Sequence, residues 1–335
     1  MFIRRYLVQS FITIIVFSAN VRAQKIKGLS FVATRDLVTD TNINPIKETA
    51  ANWVSLMPYG YMDAPNSTEI AFNLSWQWQG ETKSGLQQAV PFFERDQISI
   101  MLKPHIWIKG GVFTGTIEFD SDEQWIKFQE SYKKYILYFA NLAQDLNIPI
   151  LCIGTELQSL VSYDSKYWEE LIKDIRSVYS GKLTYAENWD QYDKVPFWSQ
   201  LDFIGIDAYF PLKASNPSLS DLLLLWKPYV NKLNNFSKDQ ERQILFTEMG
   251  YRSINSPNNK PWDYSKRDQP YNGQKQAEAL EALFLSFENK SWWAGGFIWK
   301  WFPDHNRAGG VSDTMFSPQN KPAEEVIRRY FTKWE

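Results

Sequence analysis

The feature that most constrains the fold is a regular alternation between short apolar runs and longer stretches with helical periodicity. Eight runs of the strand type occur, at residues 27–33, 52–59, 98–105, 148–154, 182–187, 203–207, 244–247 and 296–301. Helical patterns lie between them, most clearly at residues 122–146, 167–179 and 274–287. Strands that alternate with helices pair in parallel through crossover connections. Eight such units predict an α/β fold, a single-domain (β/α)8 TIM barrel.

An open, doubly wound parallel sheet is the structural alternative to a barrel. Such a sheet typically carries a glycine-rich phosphate loop after its first strand. Gly28 stands alone in the first apolar run, so this sequence lacks that loop. No low-complexity tract or Pro/Gly/Ser linker divides residues 24–335. We therefore favour the barrel and assign residues 24–335 to one domain.

The composition excludes several classes of protein. The chain has 36 Lys and Arg against 38 Asp and Glu, so it has no basic surplus that would attract a nucleic-acid backbone. Its single cysteine, Cys152, excludes an internal disulfide framework. His105 and His305 are the only histidines, too few for a His-rich metal centre. We expect no nucleic-acid partner and no metal site.

Residues 1–23 have the pattern of a secretory signal peptide. Arg4 and Arg5 precede a mostly apolar stretch at residues 7–17, and Val21-Arg22-Ala23 resembles a cleavage site. The alternative is an uncleaved anchor, but the apolar stretch is shorter than the roughly 20 residues that a membrane-spanning helix needs. We therefore expect a secreted or periplasmic protein with no stable membrane insertion after cleavage.

Two glutamates directly follow apolar runs that we predict to be barrel strands. Glu156 follows the fourth run and Glu248 the seventh. A carboxylate at such a place is costly to bury unless it is paired or functional, and barrel enzymes place their catalytic groups at these strand ends. Structural ion pairs with Lys103 or Arg252 are one interpretation. Because two glutamates would face each other across the barrel mouth, we favour the other, the carboxyl pair that cleaves glycosidic bonds.

Four motifs together resemble one known enzyme family. They are Gly-Thr-Glu at 154–156, Asp-Phe-Ile-Gly-Ile-Asp-Ala-Tyr at 202–209, Thr-Glu-Met-Gly-Tyr at 247–251 and Gly-Gly-Phe-Ile-Trp at 295–299. Lys-Pro-His at 103–105 is also in place. The set resembles glycoside hydrolase family 113, a group of retaining clan A barrels known chiefly as β-1,4-mannanases. The similarity runs from about Gly28 to the end of the eighth strand.

This resemblance implies roles for three residues. Glu156 would be the general acid/base, Glu248 the nucleophile, and Trp299 part of the floor of the sugar-binding cleft. Many relatives in the clan carry an asparagine directly before the acid/base, where it grips the sugar 2-hydroxyl. Thr155 stands at that place here, so the role of the asparagine is not transferred.

Three polar residues at other strand ends are candidates for the same site. Lys103 and His105 lie two residues apart, so both side chains could point into the mouth. They would grip sugar hydroxyls or, as the alternative, serve as charge partners of the glutamates. Tyr209 is a candidate to donate a hydrogen bond to Glu248; its alternative is a packing role in the core.

Aromatic side chains are abundant, with 15 Trp, 17 Tyr and 22 Phe in the chain. Aromatic rings can pack on the apolar C–H face of a pyranose. Trp107 in the third loop and Asn188 with Trp189 after the fifth strand are candidate sugar contacts. Trp76 and Trp78, in the insertion at residues 60–80, would form an outer subsite or cap the barrel.

We therefore expect a retaining glycoside hydrolase that cleaves β-linked polysaccharide, with β-1,4-mannan as the expected substrate. Double displacement with two glutamates requires no metal and no organic cofactor. The expected partner is a polysaccharide or oligosaccharide substrate. Two alternatives remain: hydrolysis of a different β-glycan, and a non-catalytic barrel that binds carbohydrate without cleaving it.

Overall fold

The computed structural model describes residues 24–265 and 268–334, so the predicted signal peptide at 1–23 lies outside the described residues. Ten strands occur in this part of the chain: β1 (Ile26–Phe31), β2 (Trp53–Leu56), β3 (Tyr59–Met62), β4 (Ser99–Leu102), β5 (His105–Ile108), β6 (Ile150–Thr155), β7 (Lys182–Asn188), β8 (Phe203–Asp207), β9 (Gln243–Met249) and β10 (Trp293–Trp301). All except β3 and β5 pair in parallel and close into an eight-stranded barrel, in which β10 returns to β1. The predicted single-domain (β/α)8 barrel is confirmed, and the open sheet is excluded.

Within residues 24–265 and 268–334, eight α-helices surround the barrel: α1 (Asp40–Glu48), α2 (Lys83–Arg95), α3 (Asp122–Asp145), α4 (Gln158–Tyr163), α5 (Ser165–Val178), α6 (Leu219–Asp239), α7 (Gly273–Phe287) and α8 (Pro322–Lys333). At least one of these helices lies between each barrel strand and the next. The exception is the connection from β7 to β8, which contains two 3₁₀ turns at Tyr192–Lys194 and Trp198–Gln200. The three predicted helices correspond to α3, α5 and α7. No helix in the described ranges combines the length and apolar character needed to cross a bilayer.

The second and third predicted strands are each interrupted at a proline, which the prediction of single strands at 52–59 and 98–105 missed. Pro58 separates β2 from β3, and Pro104 separates β4 from β5. Proline has no N–H to donate to a strand ladder. Beyond the prolines the chain leaves the barrel, and β3 pairs with β5 in a separate parallel sheet with Tyr59 opposite His105. This small sheet extends the barrel at the carboxyl ends of its strands.

The barrel interior is filled by apolar side chains from the strands themselves. This cluster is distinct from the larger core between barrel and helices; it consists of Ile26, Met101, Ile150, Cys152, Ala186, Phe203, Leu245, Ala294 and Phe297. Gly28 belongs to this packing, because a Cβ there would lie 2.3 Å from the Phe297 ring. The polar groups described next lie at the carboxyl ends of the strands, as barrel enzymes place them.

Candidate active site

The two glutamates singled out by the sequence occupy the carboxyl ends of two barrel strands. Glu248 lies within β9, one residue before its end, and Glu156 directly follows the last residue of β6. The negative charge of Glu248 contributes to a raised pKa of Glu156, so the two carboxyl groups interact electrostatically. Because β6 and β9 belong to the same parallel barrel, both residues lie at the same end of it.

Glu248 is held through both of its carboxylate oxygens. Lys103 Nζ donates a hydrogen bond of 2.6 Å to Oε1, and the Tyr209 hydroxyl donates one of 2.8 Å to Oε2. The imidazole Nε2 of His105 lies 3.9 Å from Oε1. Only 8% of the Glu248 side chain is exposed. The position and orientation of this carboxylate are therefore fixed by its neighbours.

Lys103 also connects Glu248 to Asp207, the last residue of β8. Its Nζ lies 3.1 Å from Asp207 Oδ1, which also accepts a 2.8 Å hydrogen bond from the Thr247 hydroxyl. Burial alone would lower the pKa of Lys103, but the charges of Asp207 and Glu248 outweigh it and raise that pKa. Because the Lys103 side chain has no exposed surface, the structure favours the charge-partner alternative over contact with a sugar.

Asp207 is a buried carboxyl group whose surroundings raise its pKa. Burial, followed by the charge of Glu248, raises the pKa of Asp207 to about 7, while Lys103 and Thr247 act in the opposite direction. Its Oδ1 accepts hydrogen bonds from two side chains of the protein itself, Lys103 and Thr247. In the described ranges, no three His, Cys, Asp or Glu side chains are grouped so that they could hold a metal ion.

Glu156 differs from Glu248 in both its backbone and its side-chain environment. Its φ of +53° is in the left-handed region, and the residue is half-buried. Burial, then the charges of Asp207 and Glu248, raise its pKa well above the usual value, against an opposite contribution from Lys103. A carboxyl group with a raised pKa keeps its proton near neutral pH and can donate it.

His105 and Trp299 form an aromatic surface beside Glu248. Their rings are nearly parallel, with centroids 6.1 Å apart. Burial, then the charges of Lys103 and Lys300, lower the pKa of His105 well below its usual value, so the imidazole is neutral. Its Nε2 has no hydrogen-bond partner among the described residues. The imidazole therefore has one hydrogen-bonding nitrogen that is buried and not used by the described part of the protein itself.

Two adjoining cavities extend from Trp299 towards the exposed tryptophans of the insertion, and together we call them the aromatic cleft. The inner one, of about 100 Å³, is lined by Val32, Ala33, Met57, Tyr59, Trp78, Glu81, Trp299 and Lys300. The outer one, of about 330 Å³, is lined by Tyr59, Tyr61, Trp76, Gln77, Trp78, Glu81 and Trp107. The shared residues make the cleft continuous.

The tryptophans of the aromatic cleft are unusually exposed for such large apolar side chains. Relative exposure is 60% for Trp76, 49% for Trp78 and 48% for Trp107. Grouped exposed apolar surface of this kind marks a ligand-binding groove more often than a packing defect. The predicted residue Trp107 therefore lies in the cleft, and Trp76 and Trp78 accompany it.

Asn188 and Trp189 lie on a different part of the barrel mouth. Asn188 ends β7, and neither residue lines the aromatic cleft. The Trp189 ring stacks on Trp262 with centroids 5.3 Å apart. This aromatic pair is separate from the tryptophans of the insertion.

The structure adds carboxylates that the sequence analysis did not select. Asp207 and Glu187 show the same signal as the two chosen glutamates, an acidic residue at the end of an apolar run. Glu81 has no such signal, because it directly follows the insertion at residues 60–80 and lies in a 3₁₀ turn, Gln79–Glu81. Buried in the cleft, it accepts a 2.9 Å hydrogen bond from the Tyr61 hydroxyl.

Known proteins resemble this chain in both sequence pattern and fold. The sequence model of Glycoside Hydrolase Family 113 matches residues 34–321. A family 113 β-mannanase from Alicyclobacillus acidocaldarius, in complex with ManMIm, has a TM-score of 0.80 at 24% identity, with 92% of this chain and 98% of that chain covered. A second structure, a family 113 β-1,4-mannanase, has a TM-score of 0.80 at 23% identity, with coverage of 92% and 99%.

A β-glucuronidase from Ruminococcus gnavus is more distant, with a TM-score of 0.62 at 12% identity and coverage of 92% of this chain and 50% of that chain. No curated protein sequence matches this chain. Structural similarity at these identities shows the fold alone. The family match is more informative because it spans most of the sequence, and it shows that this chain belongs to glycoside hydrolase family 113.

Proposed function

We propose that this protein hydrolyses β-1,4-mannan with retention of configuration, through a double displacement that uses Glu248 and Glu156. The observation that carries the proposal is the difference between the two strand-end carboxyl groups. Glu248 accepts hydrogen bonds on both oxygens, whereas the pKa of Glu156 is raised well above its usual value. Two carboxyl groups with opposite environments can divide the roles of nucleophile and acid.

In the first step a Glu248 oxygen attacks the anomeric carbon, and the bond from that carbon to the leaving oxygen breaks. Glu156 gives its proton to the leaving oxygen, so the departing sugar leaves as an alcohol. Lys103 and Tyr209 hold Glu248 in place for the attack. The product is a glycosyl ester on Glu248 and an ionised Glu156.

In the second step water hydrolyses that ester. Glu156, now a carboxylate, takes a proton from the water as its oxygen attacks the anomeric carbon, and Glu248 leaves as a carboxylate. Both enzyme groups return to their initial states. Two inversions at one carbon give net retention.

The aromatic cleft supports a polymeric substrate. Its length beyond Trp299 provides space for sugar units next to the one that reacts, and its tryptophan faces suit the C–H faces of pyranoses. The neutral imidazole of His105 is proposed to hydrogen bond a hydroxyl of the reacting sugar. β-Mannan is the proposed polymer because the structural relatives named above are β-mannanases.

We also propose that the protein acts outside the cytoplasm, after removal of residues 1–23. The support is the sequence pattern alone: Arg4 and Arg5, the apolar stretch, and the small residue Ala23. N-terminal sequencing of exported protein is expected to begin at Gln24. A mature protein that begins at Met1 contradicts this proposal.

The experiment that tests the function is digestion of mannan, glucomannan, xylan and cellulose by the purified protein. We expect manno-oligosaccharides from mannan, with proton NMR showing that new reducing ends form first in the β configuration. Release from xylan or cellulose alone would favour the alternative of a different β-glycan. Saturable glycan binding without new reducing ends would support the non-catalytic barrel instead.

A further inference from the structure

The position of Glu156 depends on its backbone more than on its side-chain contacts. No side chain or backbone group among the described residues hydrogen bonds its carboxyl group, in contrast to Glu248. Its φ of +53° is one that a residue with a Cβ adopts only when the surroundings enforce it. Some contact near Glu156 must therefore hold this conformation.

Strand β7 supplies that contact on both sides of the residue. The Glu156 N–H donates a 2.8 Å hydrogen bond to the carbonyl of Ala186. The next N–H, that of Leu157, donates one of 2.8 Å to the hydroxyl oxygen of Tyr185. Two successive peptide groups are thus anchored to β7, one by the backbone ladder and one by a side chain.

The Tyr185 hydroxyl is itself oriented by Glu187. It donates a 3.1 Å hydrogen bond to Glu187 Oε2, and Oε1 of the same carboxyl group accepts 2.9 Å from the Asn188 N–H. A tyrosine hydroxyl has one proton to donate. Since Glu187 accepts that proton, the oxygen lone pairs of Tyr185 are available to the Leu157 N–H.

Packing restricts the Tyr185 ring to this position. The ring meets Trp168 and Phe197 edge-on at centroid distances of 5.2 Å and 5.5 Å. It also lies against Gly154, where a Cβ would come within 2.8 Å of it. Tyr185 is fully buried and Glu187 is 1% exposed, so neither can contact a sugar.

We propose that Tyr185 and Glu187 are positioning residues for Glu156, which hold the left-handed backbone that aims its carboxyl group at the leaving oxygen. This inference rests on the proposed function, because it assumes that Glu156 is the acid. It assigns a purpose to a buried pair that contacts neither the substrate nor Glu248. Burial, partly offset by the Asn188 and Tyr185 hydrogen bonds, raises the pKa of Glu187 to about 7.

The test compares two substrates that differ in their leaving group and therefore in their need for acid assistance. A manno-oligosaccharide releases a sugar alcohol that must be protonated, whereas a 2,4-dinitrophenyl β-manno-oligosaccharide releases a stable phenolate. The value of kcat/KM reports the step up to the glycosyl-enzyme in both cases. A misplaced Glu156 therefore affects the first substrate and spares the second.

For Tyr185→Phe we expect kcat/KM on the oligosaccharide to fall by about 10- to 100-fold, a part of what a general acid contributes. On the dinitrophenyl substrate the same variant is expected to stay within about threefold of the wild type. Glu187→Leu is expected to give the same selective loss. Glu187→Gln is expected to recover part of the activity, because its amide oxygen can still accept the Tyr185 proton, although its NH2 group cannot accept from the Asn188 N–H.

Tyr179→Phe is the matched control. Tyr179 is also buried, and its hydroxyl donates 2.7 Å to the carbonyl of Ile148, before the start of β6 rather than after its end. We expect kcat/KM on both substrates to be unchanged, with a loss of thermal stability similar to that of Tyr185→Phe. Circular dichroism and the thermal midpoint establish that each variant is folded.

Two results would overturn the inference while leaving the proposed function intact. One is an equal loss on both substrates in folded Tyr185→Phe, which indicates general distortion of the site. The other is no loss on either. Failure of the proposed function gives a different result, because Glu156→Ala itself would then lack the selective loss on the oligosaccharide.

Discussion

The ends of β6 and β9 present a glutamate to one site but hold it by different means. Glu248 on β9 is fixed through its side chain, by Lys103 and Tyr209. Glu156 after β6 is fixed through its backbone, while its carboxyl group accepts no hydrogen bond from the described residues. Strong donors suit a group that must remain a carboxylate until it attacks. The absence of such donors suits Glu156, because this group must gain and lose a proton in each cycle.

The electrostatics of the two strand ends follow from the same difference. At β9 the buried Lys103 cation provides a countercharge for two carboxylates, Asp207 and Glu248. Around Glu156, burial and the charges of Asp207 and Glu248 together favour the protonated form. The same cluster of Lys103, Asp207 and Glu248 therefore affects both glutamates. Lys103 balances the charge of Glu248, and the two carboxylates of the cluster raise the pKa of Glu156.

The largest expected effect comes from removing the nucleophile while keeping its shape. Glu248→Gln preserves the side-chain volume but not the attacking oxygen, so we expect kcat on mannan to fall by about 10⁴-fold or more. Reducing-end assays measure the loss. Glu324→Gln is the control, because Glu324 also accepts two hydrogen bonds, yet lies on α8, and its variant is expected to keep full activity. Activity of Glu248→Gln near the wild-type level would refute the mechanism.

The second prediction concerns the other strand end. Glu156→Ala removes the proton donor, so we expect kcat/KM on a manno-oligosaccharide to fall by about 10²- to 10⁴-fold. A dinitrophenyl substrate needs no such proton for its first step and is expected to be nearly unaffected in kcat/KM. Added azide, which attacks without a base, is expected to raise its turnover and to give a β-glycosyl azide. An α-azide product would indicate that the assigned roles of the two glutamates are exchanged. An equal loss on both substrates would show that Glu156 is not the proton donor.

A third prediction tests the role of the buried cation in folding. Lys103→Met leaves Asp207 and Glu248 buried without their countercharge, which we expect to lower the free energy of unfolding by about 3–5 kcal/mol at pH 8. Urea denaturation measures this loss in the free energy of unfolding. At pH 5 the loss is expected to shrink, because Asp207, with a pKa raised to about 7, is then protonated. Lys47→Met, which breaks an exposed pair with Asp96, is the control and should leave the midpoint nearly unchanged. A loss that does not vary with pH argues against this explanation.

The smallest expected effect is a displaced pH profile. Activity requires protonated Glu156, so the alkaline limb of kcat/KM falls as pH rises through the pKa of that group. Asp207→Asn removes one of the negative charges that raise this pKa. The limb is therefore expected to move to lower pH, by about one pH unit. No shift would show that Asp207 does not influence the proton on Glu156, and a shift to higher pH would contradict the sign of the assigned effect.

The fold and the two principal residues could be predicted from local patterns in the sequence. Strand and helix periodicities repeat within a few residues, and the positions of Glu156 and Glu248 at strand ends follow once the strands are known. Pro58 and Pro104 are the sequence signal for the two interruptions, but apolar residues occur on both sides of each proline and favoured one continuous strand. The candidate sugar contacts differ in the structure: Trp107 lines the cleft, whereas the Lys103 side chain is fully buried.

What the sequence determined by itself is the number and order of the eight barrel strands and the residues at their ends, because these depend on the chemistry of neighbours along the chain. Only the tertiary structure decided which groups meet. Lys103 contacts Asp207 and Glu248 across 104 and 145 residues of sequence, and the Tyr185 hydroxyl accepts a hydrogen bond from the N–H of Leu157, just beyond the end of the adjacent strand β6. Such contacts set charge, burial and orientation, which arise from closing the barrel and have no signature in local periodicity.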